Sequence, residues 1–591
     1  MQNLLQTFLQ NTRRLKSRPC FQFKKEGKWR TITWTEAEEE VVSIALGLKA
    51  LGIRKGDRVG LFSVTCVEWT LSDLAIQSLG AITVPVYHSN TAEQAEFILQ
   101  NSGARVVFVG NQGIYDRVQD RSGKLPELEK VVLFSGRGDD GKSLSWDQLK
   151  KLGSSGDRGA WRQGIDQIHS SDPATLVYTS GTTGNPKGAI LTHGNFVMEV
   201  EALSSQLCDI GERDVAILFL PLAHIVARVM QFFQISVGYT QAYAESVDKL
   251  IDNMGEVRPH FFVSVPRIFE KVYERVLQQV EQGSPLKKAV FSWATAVGRQ
   301  ISLRKQERKS VSPLLRLQGE IATLLVFGKL QKRLGGRLRY AVSGGAPLSK
   351  EIAEFFHAAG ILILEGYGLT ETTAAININT PKELKFGTVG KPVRGTEEKI
   401  APDGEILVRG PLIFQGYYKN PEGTREAFTD DGWFKTGDVG EMDADGFLTI
   451  TDRKKDIIVT AGGKNIAPQN LESLLKTVPA ISQAVVVGDR RKYLTALVTL
   501  NGEAITKIAQ KEGIPGLDMK ELVKHPKIYS FVKKAIDEKN KGLAPYETIK
   551  RFAILEHDFT QEAGELTPTL KVKRKFVSEK YRDILDQLYQ N

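Results

Sequence analysis

Short β-branched runs recur along most of the chain: Arg58 to Ser63, Ala81 to Tyr87, Arg105 to Val109, Val131 to Ser135, Val215 to Leu220, Phe261 to Val265, Leu338 to Val342 and Ile361 to Leu364. Stretches with helical spacing of apolar residues separate most of them. Thr35-x-x-Glu38 reads as a capping box that opens one such helix, with Val41, Ala45, Leu48 and Leu51 on one face and Gly52 as its stop. The alternation predicts an α/β fold of largely parallel sheets buried on both faces and flanked by helices.

Two regions break that rhythm. Residues 267–334 are charged, lack strand-like runs and read as several helices with polar faces, inserted between two strands. From about Asp452 the chain restarts with small strands of its own, Asp456 to Thr460, Ala484 to Gly488, Leu494 to Leu500 and Phe552 to Leu555, interleaved with basic helices. The expected organisation is a large unit over residues 1–451, a joint at Asp452-Arg-Lys-Lys-Asp456, and a small mobile α+β unit over residues 457–591.

Composition narrows the class. A chain of 591 residues, 41% apolar and 25% charged, can bury a core of more than one domain. Cys20, Cys66 and Cys208 lie too far apart for a metal spacing or a disulfide framework, which fits a reducing compartment. No secretory apolar region opens the chain. The most apolar later run, Ala216 to Met230, is interrupted by Pro221, His224 and Arg228, so the expectation is a soluble, cytoplasmic protein. The formal charge of +10 admits nucleic acid, an anionic membrane or acidic substrates such as nucleotides and coenzyme A. No zinc-knuckle, RNP or helix-turn-helix signature accompanies it, which disfavours nucleic acid. Basic residues gather in Lys520 to Lys550 and in Lys571-Val-Lys-Arg-Lys575, where a solvated face is the plain reading. Leu4, Leu5, Phe8, Leu9 and Leu15 fall near one helical face beside Arg13, Arg14 and Lys16, a pattern that suits either a peripheral anchor on the inner face of an anionic membrane or docking on the large unit.

The densest chemical signal is Tyr178-Thr-Ser-Gly-Thr-Thr-Gly-Asn-Pro-Lys-Gly188, directly after the apolar segment Thr175 to Tyr178. Glycines let backbone N–H groups approach an anion, hydroxyls donate to phosphate oxygens, and Lys187 brings a mobile charge, a composition that handles polyphosphate. Pro186 and Gly188 set it apart from the common NTPase loop. Four weaker clusters follow: Ser343-Gly-Gly-Ala-Pro347, Gly366-Tyr-Gly-Leu-Thr-Glu371, Asp431-Gly-Trp-Phe-Lys-Thr-Gly-Asp438 and Thr567-Pro-Thr-Leu-Lys-Val-Lys-Arg574.

In this order the motifs resemble the adenylate-forming (AMP-binding) superfamily over nearly the whole chain. Pro221-Leu-Ala-His-Ile225, Pro266-Arg-Ile-Phe-Glu-Lys-Val-Tyr273, the block from Asp431 to Asp456 and Gly462-Gly-Lys-Asn-Ile-Ala-Pro468 are similar to its long-chain fatty acid–CoA ligases. The resemblance implies ATP-dependent activation of a fatty acid through acyl-AMP to acyl-CoA, with Mg²⁺. Thr179, Ser180, Gly181, Thr182, Thr183, Gly184 and Lys187 would hold the β- and γ-phosphates, and Glu371, with Thr182 as a second ligand, the Mg²⁺. Gly345, Ala346, Pro347 and Tyr367, with Gly366, Gly368 and Thr370 beside them, would form the adenine slot, and Asp438 and Arg453 would hold the ribose. His224 matches a histidine beside the carboxyl substrate, against the plainer reading of a buried, satisfied histidine. Lys455 would be the pivot of a rotation that brings first a C-terminal lysine and then Gly462, Gly463 and Lys464 to the site. The usual glycine before that lysine is missing here. Lys571 is favoured because Lys571-Val-x-Arg574 keeps the pattern of lysine, apolar residue and arginine, with Lys573 the alternative register. An acyl carrier protein as acceptor, a catalytically inactive fatty-acid carrier, and assembly as a homodimer stay open at this point.

Overall fold

The computed structural model describes residues 3–138, 141–179, 186–461, 464–514, 516, 518–567 and 571–590. All the apolar runs singled out in the first part of the chain are strands, and they fall into two large sheets. The first runs, in spatial order, through Lys391–Pro392, Asn377–Ile378, Leu362–Tyr367, Tyr340–Ser343, Phe261–Ser264, Val215–Leu218, Thr240–Tyr243, Pro19–Lys25 and Lys28–Thr33. Its middle pairings are parallel and its margins antiparallel. The second orders Gly416–Tyr417, Lys187–Thr192, Pro173–Thr179, Ile82–Tyr87, Arg58–Ser63, Ala104–Val109, Lys130–Leu133 and Ser143–Ser145. Only its first two pairings are antiparallel. Val59, Leu61 and Phe62 are buried on alternate faces of one strand, as a sheet covered on both sides requires.

The helix after the first hairpin is capped two residues earlier than the Thr35-x-x-Glu38 reading expects. The Thr33 hydroxyl accepts the Glu36 N–H at 3.3 Å and the Glu36 carboxylate accepts the Thr33 N–H at 2.8 Å, so the box is Thr33-x-x-Glu36. Trp34, wholly buried, opens the helix Trp34–Ala50 and draws the start forward. The N-terminal helix Leu4–Leu15 lays Leu4, Leu5, Phe8, Leu9 and Leu15 into the main core. Asn11 locks it there by donating to the Ile235 carbonyl at 2.6 Å. Its apolar face is therefore spent on the protein itself, and among the described residues no helix is long and apolar enough to cross a membrane.

Arg228 and Asp73, both without exposed side-chain surface, pair at 2.9 Å between the sheets. Gln231, Gln77 and Thr83 donate to the same carboxylate, and Arg228 also donates to the Thr175 hydroxyl at 3.1 Å. This network fixes the strand that leads into the Gly/Thr-rich loop.

Residues 267–334 form helices joined by short links, Pro266–Glu281, Pro285–Gln306, Pro313–Ala322 and Gly328–Arg333, with a π turn Thr323–Phe327. They bridge two adjacent parallel strands, Phe261–Ser264 and Tyr340–Ser343. An antiparallel four-stranded sheet, Glu397–Ile400, Glu405–Arg409, Phe434–Met442 and Leu448–Arg453, precedes the joint. Beyond it a separate apolar core, Ile458 through Phe552, surrounds the sheet Ile481–Val487, Leu494–Leu500 and Ile549–Ile554.

Candidate functional site

The strands on either side of the Gly/Thr-rich motif pair antiparallel. Thr179 opposes Lys187 across the strands Pro173–Thr179 and Lys187–Thr192, and its hydroxyl donates to the Lys187 carbonyl at 3.4 Å. Ser180, Gly181, Thr182, Thr183 and Gly184 lie outside the described residues. The Lys187 ammonium stands 5.0 Å from the ring centroid of Tyr417, on the neighbouring strand Gly416–Tyr417. On the other edge of that ring, the Tyr417 hydroxyl donates to Glu371 Oε1 at 2.8 Å. Tyr417 thus joins the motif lysine to the motif carboxylate. The sequence reading missed it, because a tyrosine in Gly416-Tyr-Tyr418 carries no signal beyond a turn.

Glu371 sits on a short 3₁₀ turn, Thr370–Thr372, at the carboxyl end of the strand Leu362–Tyr367. The turn reverses so tightly that a Cβ at Gly368 would stand 1.4 Å from the Ala374 carbonyl oxygen, and Thr373 and Ala374 take positive φ of 57° and 94°. Bonds from outside hold it: Phe414 N–H donates to the Glu371 carbonyl, the Thr373 hydroxyl to the Leu412 carbonyl, and Ala375 N–H to the fully buried Glu199 carboxyl. Burial pushes the Glu199 carboxyl well up, against the Ala375 N–H that it accepts.

The strand Leu362–Tyr367, which leads to Glu371, also meets the remaining clusters. Ser343 and Glu365 are partners in parallel strands, which places the Gly344-Gly345 turn beside Gly366. Ala346 and Pro347 are exposed, and Gly345 takes the left-handed φ of +83° that lets this turn leave its strand. Behind it Glu365, pushed up to about 7 by burial, accepts the Leu348 N–H at 3.4 Å. The Tyr367 hydroxyl donates to Asp438 Oδ2 at 2.7 Å, and Arg453 Nε approaches Asp438 Oδ1 at 3.4 Å from the paired strand. Burial raises the Asp438 carboxyl, while Arg453, Tyr367 and Lys571 pull it back. The Thr436 hydroxyl, also missed from sequence, accepts the Asp438 N–H at 3.1 Å.

His224 caps the helix Ile225–Val237, its Nδ1 accepting the Val226 N–H at 3.3 Å. That bond leaves the ring proton on Nε2. Burial and the charge of Lys571 hold the imidazole down at about 4, so it is neutral at physiological pH. The charge of Lys571 acts on both His224 and, after that of Arg453, Asp438. Water still reaches Lys571 through the cleft, yet protein from both units surrounds its ammonium. Desolvation, then the charge of Arg453, bring it down to about 8, against the opposing pull of Asp438. Lys573 instead begins the helix Arg574–Lys580, its N–H donating to the Glu565 carbonyl. Arg574 is tied into the small unit by Glu472 at 2.7 Å and by the Val486 carbonyl.

Polar contacts hold the small unit in this position: Lys476 with Glu270 at 3.3 Å, Arg267 with Ser482 at 3.2 Å, and Asn501 with Glu274 at 3.4 Å. In the joint, Lys454 pairs with Asp403 and Glu405, whereas Lys455 is exposed. Gly462 and Gly463 lie outside the described residues, and Lys464 lies 5.8 Å from the Tyr546 ring centroid on the small unit itself. The described contacts therefore form two sets, Lys187 with Tyr417 and Glu371, and Tyr367 with Asp438, Arg453, His224 and Lys571, joined by the strand Leu362–Tyr367 and the turn that follows it, while Lys464 keeps to its own unit.

Residues 8–418 match the AMP-binding enzyme family, and residues 455–591 match its C-terminal domain. The chain belongs to the AMP-binding enzymes. Among curated relatives of this AMP-binding enzyme, the long-chain-fatty-acid–CoA ligase FadD15 of Mycobacterium bovis is 42% identical over 568 residues, covering 95% of this chain and 93% of that protein. The long-chain-fatty-acid–CoA ligase ACSBG2 of Homo sapiens is 30% identical over 612 residues, covering 98% and 91%. Among solved structures, the adenylation domain of a carboxylate reductase from Mycobacterium chelonae superposes with a TM-score of 0.78 at 23% identity, over 100% of this chain and 91% of that one, a likeness of fold.

Among the described residues no cluster of three metal-ligating side chains exists. Mg²⁺ keeps waters and binds through one or two carboxylates together with substrate phosphates. Glu371, a hard oxygen donor with one oxygen free of described hydrogen bonds, is suited to it.

Proposed function

We infer that this enzyme joins a long-chain fatty acid to coenzyme A at the expense of ATP, passing through acyl-AMP and releasing AMP and pyrophosphate. The observation that carries the reading is that Lys571, from the small unit, lies close enough for its charge to act on His224 and Asp438 of the large one, and for that of Arg453 to act on it. In the first half-reaction a carboxylate oxygen attacks the α-phosphorus and pyrophosphate leaves. Both reactants are anionic, so positive charge must lie between them. Lys571 supplies it at the carboxylate and α-phosphate, and Lys187, with Thr179 and the loop from Ser180 to Gly184, at the leaving phosphates. Glu371 and Thr182 would hold a Mg²⁺ ion, which would supply positive charge against the polyphosphate. Tyr417 positions Glu371 and Lys187 for this.

Asp438 and Arg453 take the ribose hydroxyls; the Tyr367 hydroxyl now on Asp438 keeps that carboxylate aimed. Gly345, Ala346 and Pro347 with Gly366, Tyr367 and Gly368 receive the adenine, and Thr370 starts the turn that presents Glu371. Neutral His224, with Nε2–H as donor, lies beside the carboxyl group without adding charge. The Lys455 turn then lets the unit from residue 457 swing, withdrawing Lys571 and bringing Gly462, Gly463 and Lys464 along the pantetheine path, where the thiol attacks the acyl carbon. No protein nucleophile takes part. Because long-chain acids partition into bilayers, the enzyme works peripherally at a lipid face.

The test is direct. Purified protein with palmitate, ATP, Mg²⁺ and coenzyme A should yield palmitoyl-CoA and AMP in equal amounts. Pyrophosphate release without thioester, until an acyl carrier protein is added, would replace coenzyme A with the carrier as acceptor; no pyrophosphate release with any acyl length would leave only a binding protein.

A further inference from the structure

The helix Pro313–Ala322 and the π turn that continues it carry two apolar faces. One, with Ala322, Phe327 and Leu330, is buried against the rest of the insertion and the main core. The other meets nothing: Leu314 is 67% exposed, Leu317 54%, Ile321 41%, Leu324 80% and Leu325 52%. At 3.6 residues per turn these five side chains share an arc about 100° wide, the geometry of an amphipathic contact face and not of scattered surface leucines.

The charge around this face is as uneven as its hydropathy. Residues 285–333 hold eleven Lys and Arg against two Glu, a net of nine in a chain whose whole formal charge is +10. This is a denser concentration than the late lysine runs that the sequence first draws attention to. Arg304, Lys305, Arg316, Lys329, Lys332 and Arg333 are all exposed, and none has a carboxylate partner among the described residues. A cationic rim around bare leucines is stable against water only at a cost, and its complement is an apolar medium bordered by negative charge.

We propose that the second apolar face of helix Pro313–Ala322 and its π turn, rimmed by the basic residues of the insertion, docks the protein onto an anionic lipid bilayer. A second copy of the chain is the poorer fit, because a twofold contact would bring two such cationic faces together. The leucines would enter the headgroup and acyl boundary while the Lys and Arg stems reach the lipid phosphates. The N-terminal helix has no free apolar face for this purpose, since its own is buried.

The experiment uses the full-length protein and vesicles of phosphatidylcholine with and without phosphatidylglycerol, at low and high salt, with co-sedimentation as readout. Binding is expected only with the anionic lipid and should weaken as salt rises. Leu317→Glu/Leu324→Glu should lower the affinity at least about tenfold, and Lys329→Gln/Lys332→Gln/Arg333→Gln on the order of a hundredfold. Neither variant touches the core, and both should turn over a soluble medium-chain acid at the wild-type rate. Wild-type protein that ignores phosphatidylglycerol vesicles, or variants that bind them as the wild type does, would overturn the proposal. So would light scattering that shows a wild-type oligomer dissolved by Leu324→Glu with no vesicle binding, which would make the face a protein–protein contact.

Discussion

At the scale of residues, the site is built from pairs that only make sense together. Glu371 is aimed by the Tyr417 hydroxyl, and the same ring faces the Lys187 ammonium. Glu371→Ala should lower ATP–pyrophosphate exchange by about 10²–10³ with the fold intact, since it removes one preorganised charge. Tyr417→Phe keeps the ring under Lys187 and removes only the hydroxyl, so a several-fold loss is expected. Exchange near wild type in Glu371→Ala, measured at saturating Mg²⁺, would take Glu371 out of the site. Lys571 carries a second, pH-based prediction. Its ammonium is held down at about 8, so it is charged at neutral pH and loses that charge as pH rises through 8. The kcat/KM for ATP in the exchange reaction should therefore fall above about pH 8, and Lys571→Arg, charged throughout, should abolish that limb of the profile even at a lower absolute rate.

At the scale of elements, the strand Pro173–Thr179 must present its loop while lying between two helical layers. What anchors it is the Arg228–Asp73 pair, whose guanidinium also holds Thr175. Removing one partner of a buried pair leaves an uncompensated charge and typically costs 3–5 kcal/mol. Here the donors from Gln231, Gln77 and Thr83 to Asp73 soften the loss. Arg228→Met should accordingly lower stability by about 3 kcal/mol in urea unfolding of the large unit, with exchange activity falling alongside because the strand Pro173–Thr179 loses its support. An unchanged unfolding midpoint would show the pair to be replaceable by packing alone.

At the scale of the molecule, the proposed alternation assigns the described orientation to the first half-reaction. Lys571→Ala should lose adenylation yet still turn supplied acyl-AMP and coenzyme A into thioester, whereas Gly463→Ile should do the reverse. Lys476→Glu removes a contact that holds the present orientation, and should slow adenylation severalfold while sparing the thioester step. If both half-reactions fall equally in Lys571→Ala and Gly463→Ile, the alternation is wrong. If Lys573→Ala, not Lys571→Ala, loses adenylation, the register is shifted by two residues.

The sequence by itself determined the strands and the fold class, because burial on both faces writes itself as short continuous apolar runs, and Arg58–Ser63 and Leu494–Leu500 were readable to the residue. It also determined the helical insertion and the five chemical motifs, since glycine, hydroxyl and lysine at close spacing have few other uses. What it could not determine were relations between segments far apart in the chain. Thr33 in place of Thr35 as the cap follows from how Trp34 packs in the core. Tyr417 between Lys187 and Glu371, Glu199 behind the Glu371 turn, and Lys571 in place of Lys573 at His224 depend on which strands become neighbours and how two units meet. Two sets of leucines make the point most plainly: those of the N-terminal helix and those of residues 314–325 each fall on one helical arc. Only packing decided that the first set is core and the second surface, because hydrophobic periodicity says that a face must be covered and the tertiary structure supplies, or withholds, the cover.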